Sequence, residues 1–157
     1  MNRLTREEFR QTVTAAGVKP RLRKILRFVP EEVTEWDCRD FLAVTDKSGR
    51  EGVLLYGNTV ASFTLTPRGS KASGQVAAVI CDICATWQRG TASATLTLYK
   101  DARRSVSHLV CGDLNCSLHV RGITAAGLYS RSQIRENITA ENRVARLRKR
   151  LEGILAS

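Results

Sequence analysis

The chain has 157 residues, of which 43% are hydrophobic and 25% charged, and a formal net charge of +10. That balance excludes wholesale disorder, and no uncharged run approaches the roughly 20 apolar residues of a bilayer span. The charged start, Met1-Asn2-Arg3-Leu4-Thr5-Arg6-Glu7-Glu8, lacks the apolar stretch of a signal peptide, so a cytoplasmic protein without membrane contact is expected.

The charge excess sits at the ends. Residues 1–28 carry eight basic and two acidic side chains, residues 131–157 seven and three, and residues 29–130 ten of each. Basic ends attract polyanions or acidic protein surfaces. The plainer alternative is a solvated helix face. With 6% aromatic residues, a base-stacking platform for single strands is not expected.

Thr5 as N-cap, Glu7 and Glu8 in the first turn and Gly17 as a stop predict a helix over 6–16. Pro20 suits a first turn, and Leu22, Ile25, Leu26 and Val29 have helical spacing, which predicts a second helix over 20–28. Apolar runs over 41–45 and 52–56 flank Asp46-Lys47-Ser48-Gly49 and predict a β-hairpin. A third strand is expected over 60–66, with Ala61, Phe63 and Leu65 on one face, then an exposed loop over 67–74. A short buried strand over 76–80 leads to Cys81. Alternating segments over 91–99 and 105–111 form a hairpin with its tip at Asp101-Ala102-Arg103-Arg104. A long helix ends the chain, N-capped by Thr139. Its apolar stripe is Val144, Leu147, Leu151, Ile154 and Leu155, and Arg143, Arg146, Arg148, Lys149 and Arg150 cover the other faces.

Four of the five cysteines form two close pairs, Cys81-Asp82-Ile83-Cys84 and Cys111-Gly112-Asp113-Leu114-Asn115-Cys116. An odd count in a cytosolic-looking chain is poor material for a disulfide framework. Two pairs separated by a hairpin's length match the knuckles of a tetrahedral zinc site, and four thiolates leave no open position for substrate. One structural Zn2+ is therefore expected on Cys81, Cys84, Cys111 and Cys116. A redox dithiol at Cys81 and Cys84, or unrelated buried thiols, are the alternatives. His108 and His119 flank the second pair and are read as non-ligands, and Cys38 as a small buried hydrophobe. The order knuckle, hairpin, second knuckle, helix is that of a treble clef.

The run Val79-Ile80-Cys81-Asp82-Ile83-Cys84, the hairpin and Cys111-Gly112-Asp113-Leu114-Asn115-Cys116-Ser117-Leu118-His119-Val120-Arg121-Gly122 resemble the C-terminal treble-clef domain of elongation factor G-binding proteins, the FusB/FusC family of fusidic-acid resistance. Thr139-Ala140-Glu141-Asn142-Arg143-Val144-Ala145-Arg146-Leu147 is similar to the family's closing helix. The resemblance extends over residues 20–157. It implies binding of elongation factor G through the zinc domain and release of the factor from the ribosome, as in fusidic-acid resistance or in general translation rescue, without covalent chemistry. The resistance proteins carry an N-terminal helical bundle where this sequence has about 30 residues before the sheet.

The expected fold is α+β: a small antiparallel sheet with N-terminal helices, fused to a four-cysteine treble-clef zinc finger with a long C-terminal helix. Residues 1–30 are read as a basic helical segment and 31–157 as the FusB-like domain, with its sheet over 40–80 and its zinc finger over 79–157. The expected partner is elongation factor G, with ribosomal RNA a further one and no small-molecule substrate. Trp87, Tyr99, Lys100, Arg103, Arg104 and Arg121 are the candidate contacts, since aromatic and Arg anchors dominate interfaces. Packing of Trp87 and Tyr99, and solvation of Arg103 and Arg104, are the plainer readings. The alternative function is an RNA- or DNA-binding zinc finger. No P-loop, His-Glu-x-x-His or Gly-x-Ser-x-Gly motif is present, so an enzyme is not expected.

Overall fold

The computed structural model describes residues 1–69, 77–99, 103–124 and 137–156. These fall into two compact units, Met1–Leu65 with Thr97–Val106, and Thr66–Leu96 with Ser107–Ser157. Five strands form one sheet in the order β1-β2-β3-β6-β7, with β1–β2 and β2–β3 antiparallel: β1 Leu42–Thr45, β2 Glu51–Tyr56, β3 Thr59–Pro67, β6 Ser93–Tyr99 and β7 Ser105–Cys111. Two short strands, β4 Val79–Ile80 and β5 Trp87–Gln88, pair separately.

The first unit opens with α1, Arg6–Ala15. Its N-terminus is closed by a capping box: Thr5 Oγ1 accepts from Glu8 N at 3.2 Å, and Thr5 N donates to the Glu8 carboxylate at 2.7 Å. Its C-terminus ends on Gly17 at φ +70°, with Gly17 N donating to Thr14 O and Val18 N to Val13 O. This places Val13 and Val18 together in the core with Phe9, Leu42, Val44, Val53 and Leu55. The N-terminal helix therefore shares its core with the first hairpin. The second helix, α2, spans Pro20–Ile25 rather than 20–28. Leu26 turns extended, and Arg27 N donates to Thr45 O at 2.9 Å, so a bond to the sheet edge replaces the next helical turn.

The hairpin and third strand form as expected. Leu42 faces Leu55, Thr45 faces Gly52 and Tyr56 faces Thr59. Gly52 has a steric reason: a Cβ there would stand 2.5 Å from Val44 O and 2.7 Å from the Phe63 ring. Phe63 and Leu65 are buried on one face of β3. Cys38 departs from expectation. It ends a 3-10 turn, Trp36–Cys38, and is only half-buried.

In the second unit, β4 is shorter than expected, and Val76 lies outside the described residues, as do 70–74 of the loop. A 3-10 turn, Gly90–Ala92, precedes β6, so that strand begins at Ser93 and not at 91; Ser93 Oγ donates back to Gly90 O at 2.7 Å. The helix that follows the second cysteine knuckle is α3, Cys116–Val120, which the sequence reading did not separate from the closing helix. The closing helix, α4, spans Ala140–Ala156. Asn142 N donates to Thr139 Oγ1 at 3.3 Å, as an N-cap requires. Leu147, Leu151 and Ile154 are buried, and α4 packs on α3, whose Leu118 and Val120 are also buried. Each such leucine contributes about 2 kcal/mol. Arg143 is not on an open face. Its Nε donates to Val120 O at 2.8 Å and its Nη1 to Ile138 O at 2.9 Å, closing the end of α3.

The Asp46 carboxylate organises the first hairpin, accepting from Ser48 Oγ at 2.6 Å and from the amides of Arg50 and Glu51 at 2.9 and 3.2 Å. The bond from Ser48, first among these, lowers its pKa to about 2. A depressed carboxylate stabilises the fold above the ordinary Asp value of about 3.9 and loses that contribution as pH falls through the folded value. Asp46→Asn should therefore lower the urea midpoint at pH 5, and the gap from the parent chain should close on acidification toward pH about 2.

Candidate metal centre

Two knuckles build the centre, each from a backbone that aims its sulfurs inward. In the first, Ala85 N donates to Cys81 O at 2.8 Å and Cys81 N to Thr86 O at 3.0 Å, with Ala85 left-handed at φ +57°. This tight turn lets Cys84 N donate to Cys81 Sγ at 3.5 Å. Asp82 ties the knuckle to β7: its amide donates to Leu109 O and its carboxylate accepts from Leu109 N, both at 2.7 Å. In the second knuckle, Leu114 N donates to Cys111 O at 3.1 Å and Leu114 is left-handed at φ +53°. Gly112 N donates to Ala92 O at 2.8 Å, and Cys116 opens α3.

All four cysteines are buried, and their sulfurs lie within 4.8 Å of one another. Cys81 Sγ stands 3.7 Å from Cys116 Sγ, and Cys84 Sγ 3.5 Å from Cys111 Sγ. A disulfide would need about 2.05 Å. The edge of a tetrahedron with zinc–sulfur bonds of about 2.3 Å is about 3.8 Å, which the observed spacings match. The charge pattern agrees. Cys81 is held below the ordinary thiol value by hydrogen bonds from Cys111 and then Cys116, and Cys84 is lowered too. Cys116 is pushed far above it by its bonds to Cys111, Cys81 and Cys84, and Cys111 is raised as well. Burial and mutual repulsion oppose four negative charges held this close, and a divalent cation offsets both and lets all four sulfurs ionise. The four residues form a site for one zinc ion, with every position taken by sulfur and none left for water or substrate.

A polar shell surrounds the sulfurs. Gln88, 2% exposed, donates from Nε2 to Cys111 Sγ at 3.1 Å and to Thr86 Oγ1 at 3.2 Å. Thr86 Oγ1 lies 2.9 Å from Cys84 Sγ. His119 Nε2 meets Asp113 Oδ2 at 3.2 Å, beside Cys111. Burial opposes charge on His119, but its bonds to Asp113 and Cys84 prevail and push its pKa up to about 9. From α4, Arg150 Nη1 donates to Asp82 O at 3.2 Å. His108 is half-buried, its Nδ1 3.8 Å from Asp82 Oδ2. Sequence reasoning missed Thr86 and Gln88. Their only signal is alternation about the outward Trp87, legible once β5 is known.

The expected contact residues do not form one cluster by unit. Trp87, 44% exposed, pairs across β4–β5 with the exposed Ile80, and Arg121 donates from Nη1 to Ser117 O at 2.9 Å; both are in the second unit. Tyr99, whose hydroxyl is 3.3 Å from Thr64 Oγ1, and the exposed Arg103 and Arg104 are in the first. Lys100 lies outside the described residues, with Asp101 and Ala102. No helix among the described residues is long and apolar enough to cross a membrane.

Fold and site define a treble-clef zinc finger. The family described as FBP C-terminal treble-clef zinc-finger matches residues 22–157, and the chain belongs to it. No curated protein and no solved structure gives a significant match.

Cys84→Ser should bring the zinc content of the purified protein well below one per chain and should lower the thermal midpoint, read by plasma emission and circular dichroism. Gln88→Leu keeps the shape but removes a donor to Cys111. A chromogenic chelator should extract zinc from this variant with an affinity loss of about tenfold or more, whereas unchanged affinity would remove Gln88 from the shell that matters.

Proposed function

We propose that the protein is a zinc-stabilised adaptor that binds elongation factor G in the cytoplasm and promotes its release from the ribosome. The observation that carries this reading is the family match over residues 22–157, since the family is one of elongation factor G-binding domains of FusB/FusC type. The site supports it by its chemistry: four thiolates on one ion stabilise a shape and offer nothing to a substrate. Release would follow from differential binding, the protein favouring a factor conformation less compatible with the ribosome. The exposed Trp87 beside the first knuckle is the leading anchor, and Tyr99, Lys100, Arg103, Arg104 and Arg121 are the further contacts of this reading.

A second reading, an RNA- or DNA-binding zinc finger, rests on the basic excess at both ends of the sequence. Phosphate contacts make affinity fall steeply with salt, and nuclease abolishes co-purification through nucleic acid. The adaptor reading predicts a complex between the purified chain and purified elongation factor G that survives nuclease. It also predicts faster loss of the factor from ribosomes stalled with fusidic acid. Trp87→Ala should weaken the complex about tenfold or more while leaving the zinc content at one per chain. No complex with the pure factor, together with nuclease-sensitive recovery of ribosomal RNA, would replace this reading by the second.

A further inference from the structure

Helices α1 and α2 of the first unit enclose a cleft of about 540 Å3. Arg6, Arg10, Arg23 and Lys24 stand around it, Leu26 and Phe28 form its apolar side, and no carboxylate among the described residues lines it. The acids nearest in the ion-pair network hold the cations only weakly: Glu31 lies 3.6 Å from Arg6 and Glu7 3.8 Å from Arg10, all four side chains mostly exposed. Arg23 spends Nη1 on Thr14 Oγ1 at 2.7 Å, and its Nε has no acceptor among the described residues. One wall, α1, precedes the segment that the family match covers, so the cleft is a feature of this chain beyond that match.

We propose that this cleft binds an acidic segment of a protein partner, seated by one or two apolar side chains between α1 and α2. Four cations with no lining carboxylate call for an anionic occupant. The apolar side, where Leu26 and Phe28 are only half-buried, calls for hydrocarbon as well. A nucleic-acid backbone satisfies the first demand and not the second. Phe9 is buried and lies against Phe28 with centroids 4.4 Å apart, so the two rings cover each other on one face rather than forming an open stacking platform. An acidic amphipathic peptide satisfies both. None of the residues lining the cleft is a zinc ligand or one of the contact residues named for elongation factor G.

The test uses the full zinc-loaded chain and a fluorescein-labelled, glutamate-rich peptide carrying two leucines one helical turn apart, read by anisotropy. Binding should weaken about tenfold in the double variant Arg10→Glu, Lys24→Glu, and by a similar factor when serine replaces the peptide's leucines. Zinc content and circular dichroism check that the variant is folded. If it is not, Arg10→Ala and Lys24→Ala serve instead, since both positions are exposed, and each should weaken binding severalfold. Unchanged binding by the variants overturns the proposal. So does equal affinity for the serine peptide, or an oligouridine that binds more tightly than the leucine peptide. Elongation factor G is absent from the assay, so its outcome is separate from that of the adaptor reading.

Discussion

Four buried sulfurs occupy one small volume, and the rest of the second unit is arranged around keeping them there. Crowded thiolates repel, and desolvation magnifies that repulsion. A divalent cation removes it and cross-links two knuckles separated by a hairpin of sequence. The surrounding structure has the marks of such a constraint. Two non-glycine residues, Ala85 just after Cys84 and Leu114 between Cys111 and Cys116, accept left-handed backbone in the knuckles. Asp82 is bonded twice to Leu109, and Gly112 to Ala92, so both knuckles are fastened to neighbouring backbone.

The same constraint explains a helix that would not exist by itself. Five residues are too few to nucleate α3 in water. It is held at its start by Cys116, at its end by Arg143 from α4, and along its side by Leu118 and Val120 against the leucines of α4. Metal, cap and packing act on a single helical turn. A unit held in this way needs no large core of its own to keep a fixed shape.

Much of this was legible in the sequence, for reasons that differ by element. The zinc ligands were, because two close cysteine pairs have few other physical uses. Helix α1 was, because Thr5 and Gly17 act locally on the backbone at its ends. The first hairpin was, because Asp46-Lys47-Ser48-Gly49 sits between strongly apolar runs. What was not legible depends on distant partners. Helix α2 stops early because Thr45, far along the chain, accepts from Arg27. Strand β5 is two residues long and leaves no periodicity to detect. Gln88 reaches the sulfurs because that strand turns its side chain inward, and Thr86 reaches them from the position just before the strand. Arg143 reads as one more charge on a basic helix until α3 is seen beneath it.

The central claim is that Cys81, Cys84, Cys111 and Cys116 hold one metal ion through sulfur alone. X-ray absorption at the zinc edge of the freshly purified chain tests it most directly. The account predicts a single shell of four sulfur neighbours at about 2.3 Å. A first shell containing nitrogen or oxygen, from His119, Asp113 or water, would contradict it.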